Sequence, residues 1–141
     1  MKNKLVAVVI LLLIAATGFA QKADDLIGKY RLPNKLDVEI YKTGDKYSGK
    51  IIALNNFEEG QTKDIKNPDK SKRNEHLLGM VIIKNLEFDS DEKKWLNGEM
   101  YGPEKGMFFH LKVNKVGNEK IEVVGSKYFF RRTLEWKKLL L

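Results

Sequence analysis

"LDVEIYK", residues 36–42, sets apolar Leu36, Val38 and Ile40 between the more polar Asp37, Glu39 and Tyr41. A period of two puts one set of side chains on one face of an extended strand, whereas a helix needs a period near 3.6. The rhythm returns in "GMFFHLKVN" (106–114), where Met107, Phe109, Leu111 and Val113 alternate with Phe108, His110 and Lys112. "KIEVV" repeats it with Ile121 and Val123, and in "YFFRRTLEWK" (128–137) Tyr128, Phe130, Leu134 and Trp136 share a face with Arg132. Less regular strand signals lie in "IGKYRL" (27–32), "KYSGKIIAL" (46–54), "GMVIIKNLEF" (79–88) and "KWLNGEMY" (94–101).

Turn-forming residues separate these runs: "PNK" at 33–35, "TGD" at 43–45, "SDEK" at 90–93, "GPEKG" at 102–106 and "VGN" at 116–118. Pro, Gly, Asn and Asp favour tight reversals, so consecutive strands are expected to pair as hairpins. The pattern predicts an all-β fold: an eight-stranded antiparallel up-and-down barrel, whose closure leaves no exposed edge. An open sandwich of two sheets is the alternative architecture. The interior of such a barrel is filled by side chains or holds one small ligand. Tyr30, Tyr47, Phe88, Trp95, Tyr101, Phe109, Tyr128, Phe130 and Trp136 are the aromatic candidates to line it.

Ahead of the strands, Lys2 and Lys4 precede an unbroken apolar run of twelve residues, Leu5 to Ala16, followed by "TGFA". That run is shorter than the roughly 20 residues of a membrane-spanning helix, and its flanks are those of a secretory signal peptide. Residues 1–20 are therefore read as a signal peptide with cleavage after Ala20, and 21–141 as a single domain that is exported, periplasmic or secreted. No membrane span is expected once the signal is removed. Its removal takes away two lysines and no acid, leaving 121 residues and lowering the net charge from +7 to +5. This basic balance fits anionic partners as well as plain solubility. Export argues against nucleic acid as a partner.

The chain has no cysteine, which removes disulfides, thiol catalysis and cysteine–zinc sites together. His76 and His110 are the two histidines; they show no metal-protease spacing, and His110 falls on the polar side of its strand. No serine sits in a nucleophile elbow, and "TGDKYSGK" lacks the strand–loop–helix setting of a phosphate loop. No catalytic residue, metal ligand or cofactor is assigned.

The one long connection is the polar stretch that includes "NPDKSKRNEHLLG" (67–79). Asp64, Asn67 and Asp69 lie within six residues of one another, and such side chains bond nearby backbone amides. Arg73 has the reach to fork onto a carboxylate. Two readings follow: a loop folded onto itself over one barrel mouth, or a rim of ligand contacts formed by Asp64, Asn67, Asp69, Arg73 and Tyr101.

"GKY" (28–30) and "RRTLEW" (131–136) resemble the closure pattern of the lipocalin superfamily, in which a first-strand aromatic packs under a late arginine. The resemblance implies a structural closure by Gly28, Tyr30, Arg132 and Trp136, with Arg132 against the Tyr30 ring. More of the chain is similar to the domain-of-unknown-function family 2147: "IGKYRLPN", "VEIYK", "YSGKI", then "DIKNPD", Arg73, "LLG", "NGEMYGPEKG" and "RTLEW". The chain departs from that pattern at Arg131, where a glycine is expected, and in a shorter turn around Ser126. The resemblance implies an exported bacterial lipocalin-like barrel and transfers no catalytic residue. The expected function is binding of a hydrophobic or amphipathic small molecule in the cell envelope. The alternatives are an envelope enzyme with a polar site at the barrel mouth, or a filled barrel serving as a structural or protein-interaction module.

Overall fold

The alternating runs become strands close to where their periodicity places them. The computed structural model describes residues 20–140, so the leader read at 1–20 lies, apart from Ala20, outside the described residues. The strands are β1 Gly28–Arg31, β2 Asp37–Thr43, β3 Lys46–Ala53, β4 Val81–Asp89, β5 Lys94–Gly102, β6 Met107–Val116, β7 Lys120–Lys127 and β8 Phe130–Lys138. Each pairs antiparallel with the next and β1 returns to β8, which closes the barrel. The only helical pieces among the described residues are three short 3-10 turns, Ala23–Leu26, Phe57–Glu59 and Lys70–Lys72.

Two strands lose the simple alternation for a local reason. Asn85 and Asn97 take left-handed φ values of 65° and 64°. Asparagine tolerates this region better than most residues, and each one bulges its strand. The register therefore jumps from Gly49↔Ile83 to Tyr47↔Leu86, and from Trp95↔Val113 to Gly98↔Leu111. Leu86 and Gly98 thereby face inward with Ile83 and Trp95.

The interior is packed around Val38, Ile40, Ile51, Ile83, Leu86, Trp95, Val113 and Ile121, all buried. Its glycines measure how tightly. A Cβ built on Gly98 would lie 2.5 Å from Leu86 Cδ2 and 2.7 Å from the Leu111 carbonyl oxygen, and one on Gly49 would lie 2.8 Å from Ile83 Cδ1. Neither position has room for a methyl group, so neighbouring side chains fill this part of the barrel.

An up-and-down barrel has two distinct ends. The β2–β3, β4–β5 and β6–β7 turns lie at one end, and the Ala23–Leu26 turn plugs it. Trp95 Nε1 donates to the Ala23 carbonyl at 2.9 Å, Tyr30 Oη to the Leu26 carbonyl at 2.7 Å, and Tyr47 Oη to the Asp24 carboxylate. Leu26 is fully buried beneath the turn. Gln21 adds a stitch, its Nε2 donating to the Asn114 carbonyl at 3.0 Å and its Oε1 accepting from the Val116 amide. The opposite end carries the β1–β2, β5–β6 and β7–β8 hairpins and the long 54–80 connection.

Candidate functional site

The closure residues come first. Gly28, Tyr30 and Trp136 lie toward the plugged end, with Tyr30 and Trp136 buried in the core. The expected contact between Tyr30 and Arg132 does not form. Tyr30 is in register with Lys138, six residues along β8 from Arg132, which is about 20 Å at the rise of a strand. Arg132 instead pairs with Gly125 near the other end and is exposed. The closure therefore rests on buried phenol and indole hydrogen bonds to the Ala23–Leu26 turn rather than on a cation over a ring.

These buried phenols have a consequence at high pH. Burial, reinforced by the Asp25 charge, pushes Tyr30 up to about 12 from 10.0. Burial, then the hydrogen bond and charge of Asp24, pushes Tyr47 up to about 12. Burial raises Tyr101 as well, with its hydrogen bond to Asp64 adding to the effect. The folded chain thus keeps protons that the unfolded chain releases from about pH 10, so folding holds more protons there and stability falls as pH rises. Denaturation midpoints are expected to lose this contribution between about pH 10 and pH 12, in step with the appearance of tyrosinate absorbance. A midpoint that does not fall in that window would contradict the burial of these phenols.

The long connection is a frame that satisfies its own polar groups. The Asp64 amide donates to the Glu75 carbonyl and the Leu77 amide to the Thr62 carbonyl, both at 2.9 Å, pinching the loop into a small hairpin. Phe57 and Leu77 anchor it in the core, each fully buried. Asp64, also fully buried, accepts from Tyr101 Oη and from Asn67 Nδ2, both at 2.7 Å. Asn67 then acts as a hub: its Oδ1 accepts from the Asp69 amide at 2.8 Å, and its carbonyl accepts from Arg73 Nε at 2.8 Å. Asp69 turns the other way and caps the Lys70–Lys72 turn, accepting from the amide and the hydroxyl of Ser71. The Ser71 hydroxyl, helped by its amide, holds the Asp69 carboxyl below its ordinary range. The structure thus joins Asp64, Asn67 and Tyr101 directly, ties Asp69 and Arg73 to Asn67, and leaves Asp69 and Arg73 unpaired with each other.

Tyr101 is the outer support of this frame. Met100 faces the interior opposite Ile83 and Phe109, so Tyr101 lies on the outer face, beside Phe108 with ring centroids 4.8 Å apart. The loop is docked there by a close approach at Gly106, whose φ is 62° and where a Cβ would meet the Lys66 carbonyl oxygen at 1.9 Å. Lys66 Nζ also donates to the Glu104 carbonyl at 2.9 Å. Tyr101 is therefore a structural partner of the loop, not an interior aromatic.

At this end the barrel interior opens. Along the inward face of β8, Trp136 is 2% exposed, Leu134 is half-buried and Arg132 is exposed. Along β6 the sequence runs from buried Val113 and Leu111 through half-buried Phe109 to Met107, 41% exposed. Opposite Arg132, a Cβ on Gly125 would lie 3.3 Å from the Phe109 ring, so Phe109 floors the opening. The seam is short as well: among the described residues β1 meets β8 only at Tyr30↔Lys138 and Arg31↔Lys137, and no described strand lies against the β8 edge beyond Trp136 on that side. The result is an apolar shelf of Phe109 and Leu134 with the Arg132 guanidinium at its rim. Arg132 makes no ion pair or side-chain hydrogen bond among the described residues. Two surface clefts of about 460 and 350 Å³ lie at the plugged end, lined by charged residues such as Glu119, Lys120 and Glu135, away from both the loop and this opening.

The sequence profile described as "Uncharacterized protein conserved in bacteria (DUF2147)" matches residues 28–138, the whole of the barrel from the start of β1 to the end of β8. The chain belongs to the DUF2147 family. Among solved structures, this DUF2147 barrel is similar to protein HP1028 from the human pathogen Helicobacter pylori, described as belonging to the lipocalin family. That likeness has a TM-score of 0.69 at 22% identity over 82% of this chain and 83% of that one. At this identity it bears on fold alone, which is lipocalin-like. No curated protein sequence matches the chain. Of the residues that line the DUF2147 opening, sequence offered Phe109 as an interior aromatic and Arg132 as a closure residue, which placed Arg132 at the wrong end. The usable signal was Arg132 falling on the apolar face of an alternating strand.

Proposed function

We propose that this protein is an exported binding module of the cell envelope that takes an amphipathic small molecule with an acidic head group at the open end of its barrel. The graded exposure of the inward face of β8, from Trp136 through Leu134 to Arg132, carries the reading. The plugged half is packed by side chains, while the shelf at the open end offers apolar surface and one cation, the usual composition of a small-molecule site. The lipocalin description of the structural neighbour points the same way. Export is supported by the order of basic, apolar and small residues ahead of Gln21, whose side chain is stitched into the barrel.

A fluorescent fatty acid offered to the chain beginning at Gln21 should bind and be displaced by unlabelled fatty acid. Arg132→Glu should weaken binding about ten-fold, the worth of one charge-assisted hydrogen bond near solvent. It should leave the melting temperature unchanged, because Arg132 is exposed. Absence of probe binding, or binding indifferent to Arg132→Glu, would replace this reading with that of a filled barrel acting as a structural or protein-interaction module.

A further inference from the structure

The β7–β8 hairpin ends in an exposed aromatic tip. Lys127↔Phe130 is the last register pair, and Tyr128 and Phe129 form the turn beyond it. Tyr128, Phe129 and Phe130 are 89%, 102% and 81% exposed. The alternation of this stretch had placed Tyr128 and Phe130 in the interior; they project into solvent because β8 runs past the point where β1 leaves it, so their face has no core to meet. Tyr128 also holds a left-handed φ of 54°, an unfavourable conformation for a bulky residue. Fold stability alone does not account for three adjacent aromatics at such a position.

We propose that this tip docks on an anionic bilayer surface, with the three rings at the level of the lipid head groups and Lys127, Arg131 and Arg132 on their phosphates. Two independent observations carry the proposal. The first is charge: residues 124–133 contain these three cations and no acid. The second is placement. Of the ten large apolar side chains most exposed among the described residues, eight lie at the same end of the barrel: Ile65 and Leu78 in the long connection, Val81 opening β4, Met107 and Phe108 opening β6, and the tip itself. Aromatic rings favour the membrane interface, and basic residues beside them draw the surface toward acidic lipids. Docking between two copies of the tip would oppose three cations with three cations. Strand addition along the free edge of β8 would meet Arg131 and Arg132, the kind of charge that blunts an edge. The proposal does not depend on ligand binding at the shelf.

Vesicles of phosphatidylcholine, with and without phosphatidylglycerol, test it. The chain from Gln21 onward is the right material, since it holds every strand and the plug without the apolar leader. It should co-sediment with the phosphatidylglycerol vesicles on the order of a hundred-fold more strongly than with neutral ones, at about five-fold per basic side chain, and salt should weaken this preference. In Phe129→Trp the new indole should shift its emission to the blue on adding anionic vesicles; native Trp95 and Trp136 are buried and stay constant. The combined Tyr128→Ser, Phe129→Ser and Phe130→Ser chain should keep its melting temperature and lose vesicle binding, and Arg131→Glu should weaken it at least five-fold. Equal binding to neutral and anionic vesicles, no binding to either, or a blue shift of Phe129→Trp that follows protein concentration without lipid would each overturn the proposal. The last of these outcomes would assign the tip to self-association instead.

Discussion

Trp95→Ala is expected to cost about 3–5 kcal/mol and to lower the melting temperature by about 12–20 °C. The indole is fully buried, packs at 5.1 Å from the Phe88 ring, and stands opposite Val113 where β5 meets β6. Its removal leaves a cavity at the plugged end, which the closed wall of the barrel cannot collapse to fill. It also deprives the Ala23 carbonyl of its donor, so the turn that seals the barrel loses both its floor and one of its fastenings. Trp95→Phe separates the two terms. It keeps much of the apolar volume and loses the 2.9 Å hydrogen bond, so it should cost about 1–2 kcal/mol. Thermal or urea denaturation of the two variants reads both numbers. A loss below about 1.5 kcal/mol for Trp95→Ala would mean that the barrel is not held shut at this end, since that is smaller than the burial of the side chain alone.

The parts of this structure that could be read from sequence are those written in local physics. Leu36, Val38 and Ile40 announce β2 because successive side chains must point to opposite faces. Asn67 and Asp69 announce an internally bonded loop because Asx side chains bond amides two residues on, as the Asn67 Oδ1 does with the Asp69 amide. What failed to show was decided by contacts distant in sequence. Arg132 was matched to Tyr30 by motif order, yet only the β1–β8 register determines which residue of β8 lies beside Tyr30, and that residue is Lys138. Asp64 finds its phenol partner 37 residues away, on the outer face of β5, and no periodicity reveals it. The bulges at Asn85 and Asn97 explain why β4 and β5 read as irregular strands: each resets the alternation halfway. The aromatic tip was misplaced for a related reason, since alternation gives the face of a residue but not whether anything covers that face.

Tyr101→Phe carries the second large expected effect, about 2–3 kcal/mol, from deleting one oxygen atom. The Asp64 carboxylate is fully buried, and each of its oxygens accepts one side-chain donor, Tyr101 Oη on one side and Asn67 Nδ2 on the other. Removing the phenol leaves a buried charge with half of its side-chain donors, and no other donor bonds it among the described residues. In the Asp64→Asn background the same Tyr101→Phe change removes only a neutral hydrogen bond, worth about 1 kcal/mol, so the double-mutant cycle should show a coupling of about 1–2 kcal/mol. The damage should also be local. The loop hangs on the barrel through Phe57, Leu77, the Tyr101–Asp64 bond and the Lys66–Gly106 contact, so it can open while the strands stay paired. Hydrogen exchange should then quicken at the amides of Asp64 and Leu77, which pinch the loop, and stay slow in β6 and β7. Additive losses within about 0.5 kcal/mol, or exchange that quickens equally in loop and barrel, would place the support of this loop in its apolar anchors and not in the buried carboxylate.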